Sequence, residues 1–191
     1  MNKGRLEAFS DGVFAVIITI MVLEMKVPQG TSLAALTPVL PVFLVYLLSF
    51  VNVGIYWNNH HHMLHAVEKI DGRTLWANLH LLFWLSLLPF TTGWMGVNHF
   101  AALPTAVYGV VLLMAGFAYT LLQTSLVAAD PGRKTLSRAV GRDLKGKLSV
   151  AAYASAIPLA FLNQWIADAL YVAVALMWIV PDRRIEKVLS A

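Results

Sequence analysis

The chain alternates long apolar runs with short polar breaks. Six of the runs approach the roughly 20 residues that a helix needs to cross a bilayer. They lie at about 7–27, 39–58, 75–95, 101–127, 147–163 and 166–181. Pro28 closes the first, because the residue before a proline is pushed out of helical geometry. Pro38 and Pro41 open the second, where a missing N–H costs little. Asn98 to Ala102, followed by Pro104, turns the chain into the fourth, and Asp130-Pro131-Gly132 ends it. Only Asn163-Gln164-Trp165 separates the last two, which read as a tight helical hairpin. The pattern predicts an all-α polytopic membrane protein with six transmembrane helices. It forms a single unit over 1–191, without a repeat or a second domain.

Composition sharpens this. Of the 191 residues, 59% are hydrophobic and 13% charged, about half the charge of a soluble domain. Mean hydropathy is +0.69. There are no cysteines, which excludes disulfides and thiolate metal sites. The first apolar run is too long for a cleavable leader and is bracketed by Asp11 and Glu24. The net charge of +4 belongs to loops rather than to a nucleic-acid surface. All Lys and Arg residues except Lys26 fall in the N-terminus, the 2–3 loop, the 4–5 loop and the tail. Basic loops stay cytoplasmic, so six spans with both termini cytoplasmic explain the asymmetry. Trp57, Trp76, Trp94, Trp165 and Trp178 lie near segment ends and read as interface anchors. The 4–5 loop, 128–147, reads as a surface helix with Leu136, Ala139, Val140 and Leu144 at helical spacing, its basic side toward anionic lipid headgroups.

Candidate chemistry concentrates in the first two helices. On a wheel of 3.6 residues per turn, Val16, Thr19, Ile20 and Leu23 share a narrow stripe, extended by Gly12 and Val27. Asp11 lies about 140° from Val16 by the same geometry. Helix 1 thus pairs an apolar stripe carrying one hydroxyl with a face that buries an acid, and an intramembrane acid is costly unless paired. Ser49, Asn52, Tyr56, Asn59 and His60 form a polar stripe on helix 2, which turns inward in a bilayer. His60, His61, His62 and His65 follow at its end. His61 and His65 stand i,i+4 and suit a metal or haem, but a hydrogen-bonded anchor near Ser10 and Asp11 is the better reading. Asn78, His80, Ser86, Gln123, Thr124, Tyr153 and Asn163 read as interhelical glue. No zinc-protease, P-loop, nucleophilic-triad or Thr-Val-Gly-Tyr-Gly filter pattern occurs.

Arg5-x3-Phe9-Ser10-Asp11 and its continuation Gly-Val-Phe-Ala-Val-Ile-Ile-Thr-Ile-Met-Val-Leu-Glu resemble the signature of the transmembrane-protein-175 family of potassium channels. Tyr56-Trp57-x-Asn59-His60-His61 and the stretch Leu81 to Pro89 are similar too. The resemblance is strong over the first half and rests on span count beyond it. It implies one six-helix unit per chain, assembled as a homotetramer around a pore lined by helix 1. The implied constriction is Val16, Ile20 and Leu23, with Thr19 as the polar pore-facing group. Val16 is a departure, since many relatives carry a larger side chain there. The resemblance also implies a structural polar network behind the pore, drawn from Arg5, Phe9, Ser10 and Asp11 with Asn59, His60 and His61 on helix 2.

The expectation is therefore a non-enzymatic, potassium-permeable cation channel of the bacterial plasma membrane. Its partners are further copies of itself, potassium ions and membrane lipids, with no nucleic acid. No metal or cofactor is implied. Two rivals remain: a proton-conducting or proton-coupled transporter with Asp11 and the histidines as relay, and a membrane haem or metal protein using His61, His65, His80 or His99.

Overall fold

A computed structural model describes residues 3–129 and 143–179. Among these residues all regular structure is helical. The α-helices are α1 (Lys3–Leu23), α2 (Leu40–His65), α3 (Gly72–Ser86), α4 (Leu88–Val97), α5 (Ala102–Ala129), α6 (Leu144–Leu159) and α7 (Gln164–Ile179). A 3-10 turn, Leu33–Val39, leads into α2. Four stretches are long and apolar enough to cross a membrane: Lys3–Leu23, Leu33–His65, Gly72–Val97 and Ala102–Ala129. The chain is a multi-pass membrane protein. α6 and α7 are only 16 residues each, about 24 Å of helix; α7 is apolar, while α6 opens with Lys145 and Lys147.

Several boundaries differ from the sequence expectation. α1 stops at Leu23, well before Pro28, because Glu24 and Lys26 lead into the loop that turns at Gly30 (φ 122°). α2 runs on to His65, so the histidine cluster is helical. The third apolar run is two helices. α3 ends at Ser86, and α4 restarts at Leu88 with Pro89 in its first turn, where the missing N–H is harmless. Asp71 starts α3 by accepting from Thr74 N at 2.8 Å and from Thr74 Oγ1 at 2.9 Å. Those bonds hold its carboxyl below the usual carboxylate range. His99 (φ 51°) and Phe100 (φ 61°) make the left-handed turn from α4 to α5. Asp143 caps α6 through Gly146 N at 2.9 Å, so that helix begins at 144 rather than 147. The rest of the expected surface helix over 128–147 lies largely outside the described residues.

α5 is the hub and packs against α3, α4, α6 and α7. Tyr108, Leu112, Ala115, Ala118, Leu122 and Leu126 form its sealed spine. α7 returns against α6, α5 and α2. Small residues allow the closest approaches, as is usual where helices associate in lipid. A Cβ at Gly96 would stand 2.6 Å from Val42 Cα, so α4 and α2 meet there backbone to backbone. α1 is peripheral and packs on α2, α3 and α4. That placement leaves one face of it uncovered within the protomer.

Candidate functional site

α1 divides cleanly into two faces. Leu6, Ser10, Phe14, Ile17 and Met21 are its buried residues, spaced by three or four. Val16 (55% exposed), Ile20 (42%) and Leu23 (76%) lie on the uncovered face. Thr19 is exposed with them, and its hydroxyl donates to Ala15 O at 2.8 Å. The donated proton is thus turned inward, leaving oxygen lone pairs on the outer side. Phe9 is also exposed, at 54%. It stands seven residues, close to two turns, before Val16, and so belongs to the foot of this stripe rather than to a network behind it.

Four residues of the expected polar network, Ser10, His60, Asp11 and His61, fall into two groups, one buried and one exposed. The first is buried. Asn78 Nδ2 donates to Ser10 Oγ at 3.0 Å, and His60 Nε2 meets Asn78 Oδ1 at 2.8 Å. Ser10 Oγ donates to Leu6 O at 2.8 Å. Asn78 and Ser10 are fully sealed and His60 nearly so. An amide oxygen only accepts, so His60 Nε2 carries a hydrogen in this arrangement. Phe14 of α1 packs edge-on to His60, with ring centroids 5.6 Å apart. α1, α2 and α3 are joined by one amide.

The second group is exposed. Asp11 Oδ1 accepts from Trp57 Nε1 at 2.9 Å. Trp57 stacks on His61 at 6.0 Å, and His61 lies 4.3 Å from His65 between centroids. Asp11 is therefore not the buried acid that the sequence suggested. Ser10, its neighbour about 100° round the helix, takes the inward position. With α2 running on to His65, Trp57 lies inside the helix rather than near its end, and it is a hydrogen-bond partner of α1.

Two other residues expected in the network are elsewhere. Arg5 is exposed, and it is Lys3 that ties the foot of α1 to the α2–α3 connection, through Val67 O at 3.0 Å, while also pairing with Glu7 one turn along α1 at 3.6 Å. Asn59 donates to Ile55 O at 2.8 Å and faces a cleft between α2, α5 and α6. Its stripe divides in the same way: Ser49 bonds Thr92 and Tyr108, while Asn52 and Tyr56 line the cleft beside Asn59. His80 accepts from Trp84 Nε1 at 2.9 Å, and His99 sits in the α4–α5 turn. Among the described residues no three His, Asp or Glu side chains gather as a metal-holding group.

Asn78 is the interhelical glue that the sequence suggests, on the buried α3 face of Thr74, Ala77, Leu81, Leu82 and Leu85. The bond that Trp57 makes to α1 has no signal in the sequence. Asp168, an acid inside the apolar run of α7, is missed by a reading centred on α1 and α2, although its isolation is the signal.

Comparison with known proteins agrees with this architecture. The family model described as "Endosomal/lysosomal potassium channel TMEM175" matches residues 5–89. A potassium channel of Chryseobacterium sp. (strain P1-3) is 53% identical over 190 residues, covering 100% of this chain and 99% of its own length. The human endosomal/lysosomal proton channel TMEM175 is 38% identical over 81 residues, 36% of this chain and 16% of its own. The crystal structure of a lysosomal potassium-selective channel TMEM175 homolog from Chamaesiphon minutus superposes with a TM-score of 0.80 at 28% identity. That match covers 94% of this chain and 97% of the other. With near-complete coverage by a relative at 53% identity, and a family match over residues 5–89, the chain belongs to the TMEM175 channel family.

Proposed function

We propose that the chain is one subunit of a potassium-permeable cation channel in the bacterial plasma membrane. Four copies form a homotetramer with α1 of each subunit at the axis. α1, α2, α3 with α4, α5, α6 and α7 make six crossings, with both termini in the cytoplasm and the basic loops against lipid headgroups. Val16, Ile20 and Leu23 form the hydrophobic constriction, and Thr19 offers hydroxyl oxygens to a partly dehydrated ion. Rings of apolar side chains gate by excluding water, and hydroxyls replace part of an ion's water shell. K+ is the permeant ion, and the channel works without a cofactor.

The observation that carries this reading is the uncovered face of α1. It places three large aliphatic side chains and one hydroxyl in line, opposite a face stapled to α2 and α3. The names of the Chryseobacterium and Chamaesiphon relatives support potassium as the ion. The test is K+ flux from liposomes that hold the purified protein. Flux no greater than from empty vesicles, with insertion verified, would sink the proposal.

A second reading has its own support. The human relative is named a proton channel, and Asp11, Trp57, His61 and His65 make a cluster of ionisable and polar groups at the foot of α1. A proton flux that persists where no potassium current is measurable favours it.

A further inference from the structure

α2 has a second polar face besides the one that holds α1. It borders a cleft of about 590 Å³, its open mouth included, walled by α5 and α6 and reached by the end of α7. Sites for small molecules run to roughly 300–1,000 Å³ and are largely apolar with a few placed polar groups. Tyr56 and Asn59 of α2 line this cleft. Their neighbours in sequence, Trp57 and His60, bond instead to Asp11 and Asn78. α2 thus carries the cleft on one face and the attachment of α1 on another.

The polar lining is rich in acceptors. Asn52, Asn59, Thr120 and Ser149 each donate to the carbonyl four residues back on their own helix. The bonds go to Leu48 O at 3.1 Å, Ile55 O at 2.8 Å, Gly116 O at 3.0 Å and Lys145 O at 2.9 Å. A hydroxyl has one proton to give, so Thr120 and Ser149 keep only oxygen lone pairs for a further partner. Ser149 Oγ shows this already, accepting from Trp178 Nε1 at 2.8 Å. Each asparagine keeps its carbonyl oxygen.

Charge and walls point to the same ligand. Among the described residues that line the cleft, Asp143 alone is charged. One of its oxygens accepts from Gly146 N at 2.9 Å, and a carboxylate has lone pairs for further donors. The walls carry the rings of Tyr56 and Tyr119, edge to face at 6.1 Å, with Tyr153 and Trp178. Aromatic faces attract cations. Trp178 already does so, with Lys145 Nζ 5.6 Å from its ring centroid.

We propose that this cleft binds a primary ammonium group carried on an apolar body. The N–H groups of the ammonium answer Asp143 and the acceptor oxygens, and the body lies against the aromatic rings. A free amine and the ethanolamine headgroup of a phospholipid offer this same group. Nothing in the proposal depends on α1 lining a pore.

The test is calorimetric titration of the purified full chain in detergent with phenethylamine, against a blank of empty micelles. Binding is the readout rather than flux, because an amine can also plug a cation pore, and such block would not depend on Asp143. Phenethyl alcohol, nearly the same shape without the charge, is expected to bind far more weakly. Asp143→Asn keeps the cap of α6, since asparagine caps as well as aspartate, and should weaken the amine several-fold. A Cβ at Gly116 would stand 3.7 Å from Tyr56 Oη, an ordinary contact, so Gly116→Ala should fold as the wild type does. Gly116→Leu fills the space beyond and should abolish binding. Three results overturn the proposal: no binding to the wild type, equal binding of amine and alcohol, or unchanged affinity in both Asp143→Asn and Gly116→Leu. A second arm repeats the titration in nanodiscs of phosphatidylcholine and phosphatidylglycerol, with and without phosphatidylethanolamine. Weaker amine binding in the presence of phosphatidylethanolamine upholds the site with the lipid headgroup as its occupant. Equal binding upholds it with a free amine.

Discussion

Asn78 Oδ1 sits 2.8 Å from His60 Nε2, with both side chains sealed from solvent. The other end of the same amide binds Ser10 of α1 at 3.0 Å. Asn78→Ala therefore strands two buried polar groups at once. Leaving each unsatisfied costs about 1–3 kcal/mol, more than the roughly 0.6 kcal/mol coupling of an average interhelical hydrogen bond in lipid. The variant is expected to melt well below the wild type in detergent, read by size-exclusion after heating. Adding Ser10→Ala should cost much less in the Asn78→Ala background than alone, because the partner is already gone.

Asp11→Ala is expected to be mild in the isolated protomer. Asp11 is exposed and loses one bond, to the Trp57 indole, which is itself exposed and can turn to water. Asp11→Asn keeps an acceptor oxygen and should match the wild type. The measurement is melting temperature beside that of Asn78→Ala. An Asp11→Ala loss as large as that of Asn78→Ala would show that Asp11 is buried in the assembly.

The contrast between Asp11 and Ser10 shows what was legible in the sequence and what was not. The four residues of the α1 stripe share a face because 3.6 residues per turn puts them there, whatever surrounds the helix. Which face is covered is a different question. In lipid both the packed and the exposed sides of a helix are apolar, so hydropathy does not choose between neighbours about 100° apart. Ser10 turns inward because Leu6, Phe14, Ile17 and Met21 do, a stripe no more apolar than Val16, Ile20 and Leu23. The break after Ser86 was hidden for a related reason. Pro89 is harmless in a first turn and leaves the apolar run uninterrupted. Family resemblance located the histidine region behind α1, but only the fold shows that His60 reaches Ser10 through an amide on α3.

Ile17 and Ile20 lie on the two faces of α1 and offer a paired test. Ile20→Ala and Leu23→Ala are expected to raise K+ flux several-fold in liposomes with little change in melting temperature, since both side chains are exposed in the protomer. Ile17→Ala removes a side chain that is 3% exposed and is expected to cost about 2–5 kcal/mol of packing. Its flux per folded particle should stay near the wild type. Reversal of this pattern would place the pore on the other face.

Asp71 gives α3 a pH-dependent start. Bonds from the Thr74 backbone N–H and hydroxyl lower its folded value below the usual carboxylate range. A lowered folded value means that the contribution is fully present above the unfolded value and is lost as pH falls through the folded one. Asp71→Ala is therefore expected to melt lower than the wild type at neutral pH, with the difference closing in acid. Asp71→Asn, also a good cap and one that does not titrate, should match the wild type at neutral pH and melt above it in acid, where the aspartate's contribution is lost. The readout is the gap in melting temperature between variant and wild type at each pH.

Gly96 tests how tightly α4 lies against α2. An added Cβ would meet Val42 Cα at 2.6 Å and Val42 N at 3.1 Å, both backbone atoms that no rotamer change moves aside. Gly96→Ala must push the two helices apart and is expected to cost about 1–3 kcal/mol. The Ser49–Thr92 bond joins the same two helices at 2.7 Å, so it should lengthen in the variant. Gly54, on the same α2 helix, has nothing within 4 Å of its added Cβ. Gly54→Ala should hold or raise the melting temperature, since alanine is the better helix former. Equal losses at the two positions would mean that α2 is sensitive to any added methyl and that its contact with α4 is nothing special.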